Sequence, residues 1–122
     1  MRVVPVRFTA DPAAMRRFLE ALGLTTALQA EAGGWIALEG SGGGVGLHHD
    51  ASADEPHRAG ATDLSFESDE PLEAVRSRLA AAGFEADIVD ESFGRSLRVV
   101  DPDGVAVQVN EAMRDDYGYI RS

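Results

Sequence analysis

Cysteine is absent from the 122 residues, which excludes disulfides, thiolate nucleophiles and cysteine-bound metals. Lysine is absent as well. All 11 basic residues are arginines, so Schiff-base chemistry and a lysine general base are excluded. Positive charge is scarce, with 21 acidic residues against those 11 and a formal charge of −10. A nucleic-acid binder draws its affinity from neutralised phosphates, and no basic patch is present to do this. No apolar run approaches the roughly 20 residues that span a bilayer. The start, Met1-Arg2-Val3-Val4-Pro5, lacks the charged and then apolar pattern of a secretory signal. The expectation is a cytoplasmic protein with neither nucleic acid nor membrane as partner. The acidic surplus serves solubility, or a field that favours a cationic or neutral ligand.

What is present suits one globular domain over residues 1–122, with 44% hydrophobic and 26% charged residues. Residues 2–9 alternate around Val4, Val6 and Phe8 as a strand, with Arg7 and Thr9 on the other face. Asp11-Pro12 marks a helix start. Met15, Phe18, Leu19 and Leu22 follow at helical spacing, and Gly23 ends the run. Strands are expected at about 25–31, 34–39 and 44–49, separated by glycine-rich hairpin turns. Residues 51–60 read as a polar linker. The order then repeats: Asp63-Leu64-Ser65-Phe66 as a strand, Glu70-Pro71 opening a helix with Leu72, Val75 and Leu79 on one face, and Gly83 closing it. Strands are expected at about 85–90, 95–100 and 104–110.

A shift of sixty lays Gly23 on Gly83, Leu19 on Leu79, Arg16 on Arg76 and Gly44 on Gly104, while Phe8 matches Phe66 at a shift of fifty-eight. The predicted fold class is therefore α+β: two tandem βαβββ modules, 1–50 and 61–110, and a C-terminal tail, 111–122. A sheet covered by a helix on one face must bury or use the other. Two such mixed sheets are expected to form an open, cavity-enclosing barrel.

This organisation, together with Asp101-Pro102-Asp103-Gly104-Val105-Ala106-Val107-Gln108, resembles the vicinal-oxygen-chelate superfamily of glyoxalases, bleomycin-resistance proteins and extradiol dioxygenases. Phe93-Gly94-Arg95 and Ala81-Ala82-Gly83-Phe84 are similar to it too. The resemblance implies metal-ligand positions at Pro5 (or Val4), His48, Asp63 and Gln108, commonly His, Glu, His and Glu in metal-using relatives. Proline has no donor, and a glutamine amide is a weak one beside glutamate. Only His48 and Asp63 remain capable, and two ligands rarely hold a catalytic ion. The chain is thus identified as a metal-less member, with no cofactor expected.

Alternation places Arg7 with Pro5, Glu67 with Asp63, and His48 and Gln108 on the same faces as their neighbours two apart. If those faces look inward, Arg7, His48, Asp63, Glu67 and Gln108 line a polar floor for a ligand, with His48 and Asp63 as an acid–base pair. The alternative is that Arg7, Asp63 and Glu67 neutralise one another and hydrogen-bond His48. Trp35, the sole tryptophan, is either core or a stacking surface for ligand. The glycine run 40–46 is followed by a strand rather than a helix, so it reads as a hairpin and not as a phosphate loop. His57 reads as solvated, and Tyr117 and Tyr119 as interface or lid residues.

Implied is a homodimeric protein that binds a small organic molecule without metal, as relatives of this kind sequester cationic or aromatic antibiotics. No catalytic residue is assigned. The alternatives are a metal-dependent lyase, isomerase or dioxygenase using His48 and Asp63 on a divalent ion, and an accessory domain with a collapsed cavity.

Overall fold

A computed structural model describes residues 1–50, 58–91, 94–111 and 119–121. The first half runs β1 (Arg2–Val3), β2 (Val6–Thr9), α1 (Pro12–Leu22), β3 (Thr25–Ala30), β4 (Trp35–Gly40) and β5 (Gly43–His49). The second runs β6 (Thr62–Asp63), β7 (Ser65–Glu67), α2 (Leu72–Ala81), β8 (Ala86–Glu91), β9 (Gly94–Val100) and β10 (Ala106–Asn110), and β11 (Tyr119–Arg121) closes the series. No helix among the described residues is long and apolar enough to cross a membrane. Pro56, His57, Phe93 and Tyr117, and with them most of the expected linker, lie outside the described residues.

The duplication is visible in the sheets. One has the strand order β3-β4-β5-β2 and the other β8-β9-β10-β7, in each case with the module's first strand parallel to its last. The chain accordingly divides into two compact units, Val4–Asp63 with Gly118–Ser122, and Met1–Val3 with Leu64–Tyr117. The expected strand 2–9 is corrected here: it is two strands in different sheets. Pro5 has no N–H to donate to a ladder, and β1 pairs antiparallel with β7 while β2 pairs with β5 and β6. The strand expected at Asp63–Phe66 breaks at Leu64 in the same way, leaving β6 on the first sheet and β7 on the second. The unpredicted β11 pairs with the edge strand β3.

α1 starts where Asp11 accepts a hydrogen bond from the Ala14 N–H at 3.0 Å, and ends at Gly23 in the left-handed conformation, φ 114°. Met15 and Leu19 pack with Leu24 and Val45 on the buried Ile36, Leu38 and Leu47. Phe18 and Leu22, expected on that buried face, are instead 60% and 63% exposed. Phe18 stands on the flank of the packed stripe, and Leu24, beyond the cap, takes the core contact at the helix end. α2 places Leu72 and Val75 on Leu97 and Val109, with Phe66, Leu79, Ala86, Ile88 and Val99 around them.

Asp101-Pro102-Asp103-Gly104 forms the turn into β10. The Asp101 carboxylate accepts from the N–H groups of Asp103 at 2.9 Å and Val105 at 3.0 Å. The motif shared with the superfamily therefore has a folding role in this chain: a short acidic side chain satisfies the donors of a tight turn.

Candidate functional site

In the first unit, the strand register decides which side chains share the face that α1 leaves open. Trp35 pairs with His48, His48 with Phe8, and Val6 with both Gly46 and Asp63. Paired residues project to the same side, so Val6, Phe8, Trp35, His48 and Asp63 share the open face. Ile36 and Leu47 project under α1. Phe8 and His48 stand with ring centroids 5.2 Å apart at 49°, and Trp35 and His48 with centroids 6.4 Å apart at 68°. Three aromatic side chains thus stand together on this face, with the exposed His48 between the buried Phe8 and the half-buried Trp35.

Glycine at position 46 makes this arrangement possible. A Cβ there would lie 2.2 Å from Trp35 Cη2 and 2.8 Å from Cζ2, because the indole rests directly on the Gly46 backbone. The indole Nε1 is buried and has no hydrogen-bond partner among the described residues, whereas a buried Trp N–H ordinarily finds one. His48 Nδ1 lies 3.0 Å from the His49 carbonyl oxygen. A carbonyl can only accept, so Nδ1 donates there, and in the neutral ring Nε2 is left as an acceptor.

Arg7 requires a correction. It pairs with Leu47 and Thr62, on the side of the sheet that faces α1, and its Nε donates to Thr62 Oγ1 at 2.7 Å. It therefore stands on the opposite face from His48 and is not part of one floor with it. The same one-residue offset corrects the match of Phe8 with Phe66. Phe66 packs under α2, and the residue of β7 that pairs with Gln108 on the open side is Ser65. A slip of one residue exchanges the two faces of a strand. The expected His48–Asp63 pair is not formed by this register either. Two strands and two residues separate them, about 12 Å between Cα atoms at ordinary strand spacings.

The open face of the second unit differs in kind. Glu67 lies opposite Arg2 and Asn110, and Gln108 opposite Ser65 and Arg98. Gln108 Nε2 donates to Asn110 Oδ1 at 2.8 Å, the buried Ser96 donates to Glu91 at 3.3 Å, and Arg98 pairs with Glu91. This polar set, apart from Glu67 and Gln108, was not singled out from sequence, since Ser65, Ser96 and Asn110 carry no motif. Their signal is the two-residue period alone. On the α2 side, Arg95 binds Glu73 at 2.5 and 3.1 Å, while its backbone N–H and its Nε donate to Glu111 at 2.8 and 3.3 Å. The Arg95 hydrogen bonds hold the Glu73 carboxyl at about 2, below its ordinary 4.5. This cluster ties α2 to β9 and to the end of β10.

The metal positions implied by the resemblance do not fit a divalent ion. Pro5 and Val4 offer no side-chain donor, and Asp63 stands across the ladder from Val6, which has none either. The Gln108 amide is engaged with Asn110. Among the described residues, no group of three or more His, Asp or Glu side chains is placed to hold a metal.

Two βαβββ modules with this strand order, each sheet covered by its helix on one face, constitute the fold of the glyoxalase/bleomycin resistance protein/dioxygenase superfamily. A superfamily member of that description from Vibrio splendidus 12B01 has the fold with a TM-score of 0.62 at 18% identity, over 91% of this chain and 98% of its own. A Legionella pneumophila protein described as NAD-dependent benzaldehyde dehydrogenase matches with a TM-score of 0.66 at 17% identity, over 92% and 99%. A hypothetical protein from Bacillus halodurans C-125 matches with 0.64 at 13%, over 92% and 94%. At such identities the likeness is one of fold. No family model and no curated protein sequence matches the chain.

Proposed function

We propose that the protein binds a small organic molecule on the open face of its first module, without a metal ion. The observation that carries this reading is the cluster of Phe8, His48 and Trp35, in which the exposed His48, one of the implied metal positions, has aromatic rings as its neighbours. Aromatic side chains with a few polar groups among them are the usual lining of small-molecule sites. The acidic balance of −10 favours neutral or cationic ligands over anionic ones. The absence of cysteine supports no particular chemistry beyond binding, and is compatible with the cytoplasm as the place of action. The proposal includes a homodimer, the form implied by the resemblance.

A thermal-shift screen tests it. Aromatic and cationic antibiotics and glutathione adducts are each added with and without Zn²⁺, Mn²⁺ or Ni²⁺. A ligand that binds only the native state raises the melting temperature by mass action. The expected result is a class of aromatic compounds that stabilises the protein equally in both arms. Stabilisation confined to the metal-containing arms would instead support the lyase, isomerase or dioxygenase reading.

A further inference from the structure

We infer that the outer edge of β8 is a docking site for an extended peptide whose side chains run basic, apolar, apolar, basic, and which adds to the second sheet as a further antiparallel strand. The edge belongs to the second module, so the inference is independent of the small-molecule reading. β8 pairs with β9 on one side only and ends its sheet. No other described backbone hydrogen bond reaches its six residues, Ala86–Glu91. Its counterpart in the first module, β3, holds the same place in the strand order and is covered. There β11 pairs antiparallel, with Tyr119 opposite Ala30, Ile120 opposite Gln29 and Arg121 opposite Leu28. The architecture thus carries an added strand at this place in one module, and among the described residues none in the other.

Charge decides the occupant. β3 has no charged side chain, whereas β8 carries Asp87, Asp90 and Glu91. The ladder sets Arg98 opposite Asp87 and Arg95 opposite Asp90. Both arginines turn to other carboxylates, Arg98 to Glu91 and Arg95 to Glu73 and Glu111. Asp87 and Asp90 are left exposed, with no ion pair among the described residues. Two copies of β8 paired antiparallel over their full length would set Asp87 against Asp90 twice, and like charges across a ladder repel. A second copy is therefore the wrong occupant. A foreign strand with a basic residue opposite each aspartate, and apolar residues opposite the half-buried Ile88 and Val89, meets attraction at all four positions. β9 already presents nearly that order on the inner side, as Arg95-Ser96-Leu97-Arg98. Strands added to an edge draw affinity from main-chain hydrogen bonds and selectivity from alternate side chains.

The probe is the peptide acetyl-Thr-Arg-Val-Val-Arg-Thr-amide, added to the ¹⁵N-labelled full-length protein at low ionic strength. Binding is expected to shift the β8 amide cross-peaks and to slow their hydrogen exchange. The same peptide N-methylated at both valines loses whichever central N–H faces the edge, and should not bind. Replacing both of its arginines by glutamate should abolish binding too. Asp87→Asn combined with Asp90→Asn should weaken the parent peptide about fivefold, the size expected of two exposed ion pairs, and added salt should erase the difference. Binding of the N-methylated peptide, or equal affinity of wild type and double variant at low salt, would overturn the proposal. So would shifts confined to residues outside β8 and β9, or no shift at millimolar peptide. Protection of β8 that rises with protein concentration in the absence of peptide would assign the edge to a second copy, and overturn it as well.

Discussion

Gly46 is where the account is most exposed to a one-atom test. A methyl group there would meet the Trp35 ring at 2.2 Å, well inside van der Waals contact. Gly46→Ala should displace the indole, shift the emission of the single tryptophan and lower stability by about 1–3 kcal/mol, as overpacking does. Tryptophan fluorescence and a thermal melt on the same sample check both effects, and an unchanged spectrum would show that the ring is seated elsewhere. Little of this was legible in the sequence. Trp35 and His48 were marked as candidates from their residue types, but nothing in the order of residues tells that Gly46 underlies the indole. Alternation set Phe8 on the face opposite Arg7 and Thr9, and the structure agrees: Thr9 is buried on the helix side, while the buried Phe8 meets His48 on the other.

At the level of elements, the signals that survived folding are those with a local mechanism. Asp11 and Gly23 bound α1 because an N-cap acceptor and a left-handed C-cap act within one turn of chain. The breaks at Pro5 and Leu64 were less legible, since whether a strand continues or changes sheet depends on partners distant in sequence. The link between α2 and its sheet is also distant, joining Arg95 of β9 to Glu73 of the helix. Its pH dependence follows from the depressed Glu73 carboxyl. The folded value of about 2 lies below the ordinary 4.5, so the pair stabilises the fold above about 4.5 and loses that contribution as the pH falls toward 2. Glu73→Gln should therefore lower the melting temperature slightly at pH 7 and hardly at all at pH 2. The effect is small because both side chains reach solvent. Melts of the two proteins at both pH values check it, and a difference that grows on acidification would contradict the assignment.

For the molecule as a whole, the internal repeat was the strongest sequence signal, and it yields two sheets of equal strand order. The repeat is one of architecture and not of chemistry. The open face of one module is aromatic, while that of the other carries Arg2, Glu67, Arg98, Gln108 and Asn110. Positions matched at fixed shifts concealed this divergence, because a single residue gained or lost between β2 and α1 exchanges the faces of one strand. Of the positions the resemblance matches to metal ligands, only His48 and Asp63 carry a strong donor, and the proposal is recognition by rings and hydrogen bonds without an ion. The most direct test of that claim is a titration of a ligand found in the thermal screen, followed by Trp35 fluorescence, in EDTA and again with excess Zn²⁺ or Mn²⁺. The account predicts the same dissociation constant in both. Binding that disappears in EDTA and returns with the metal would contradict it.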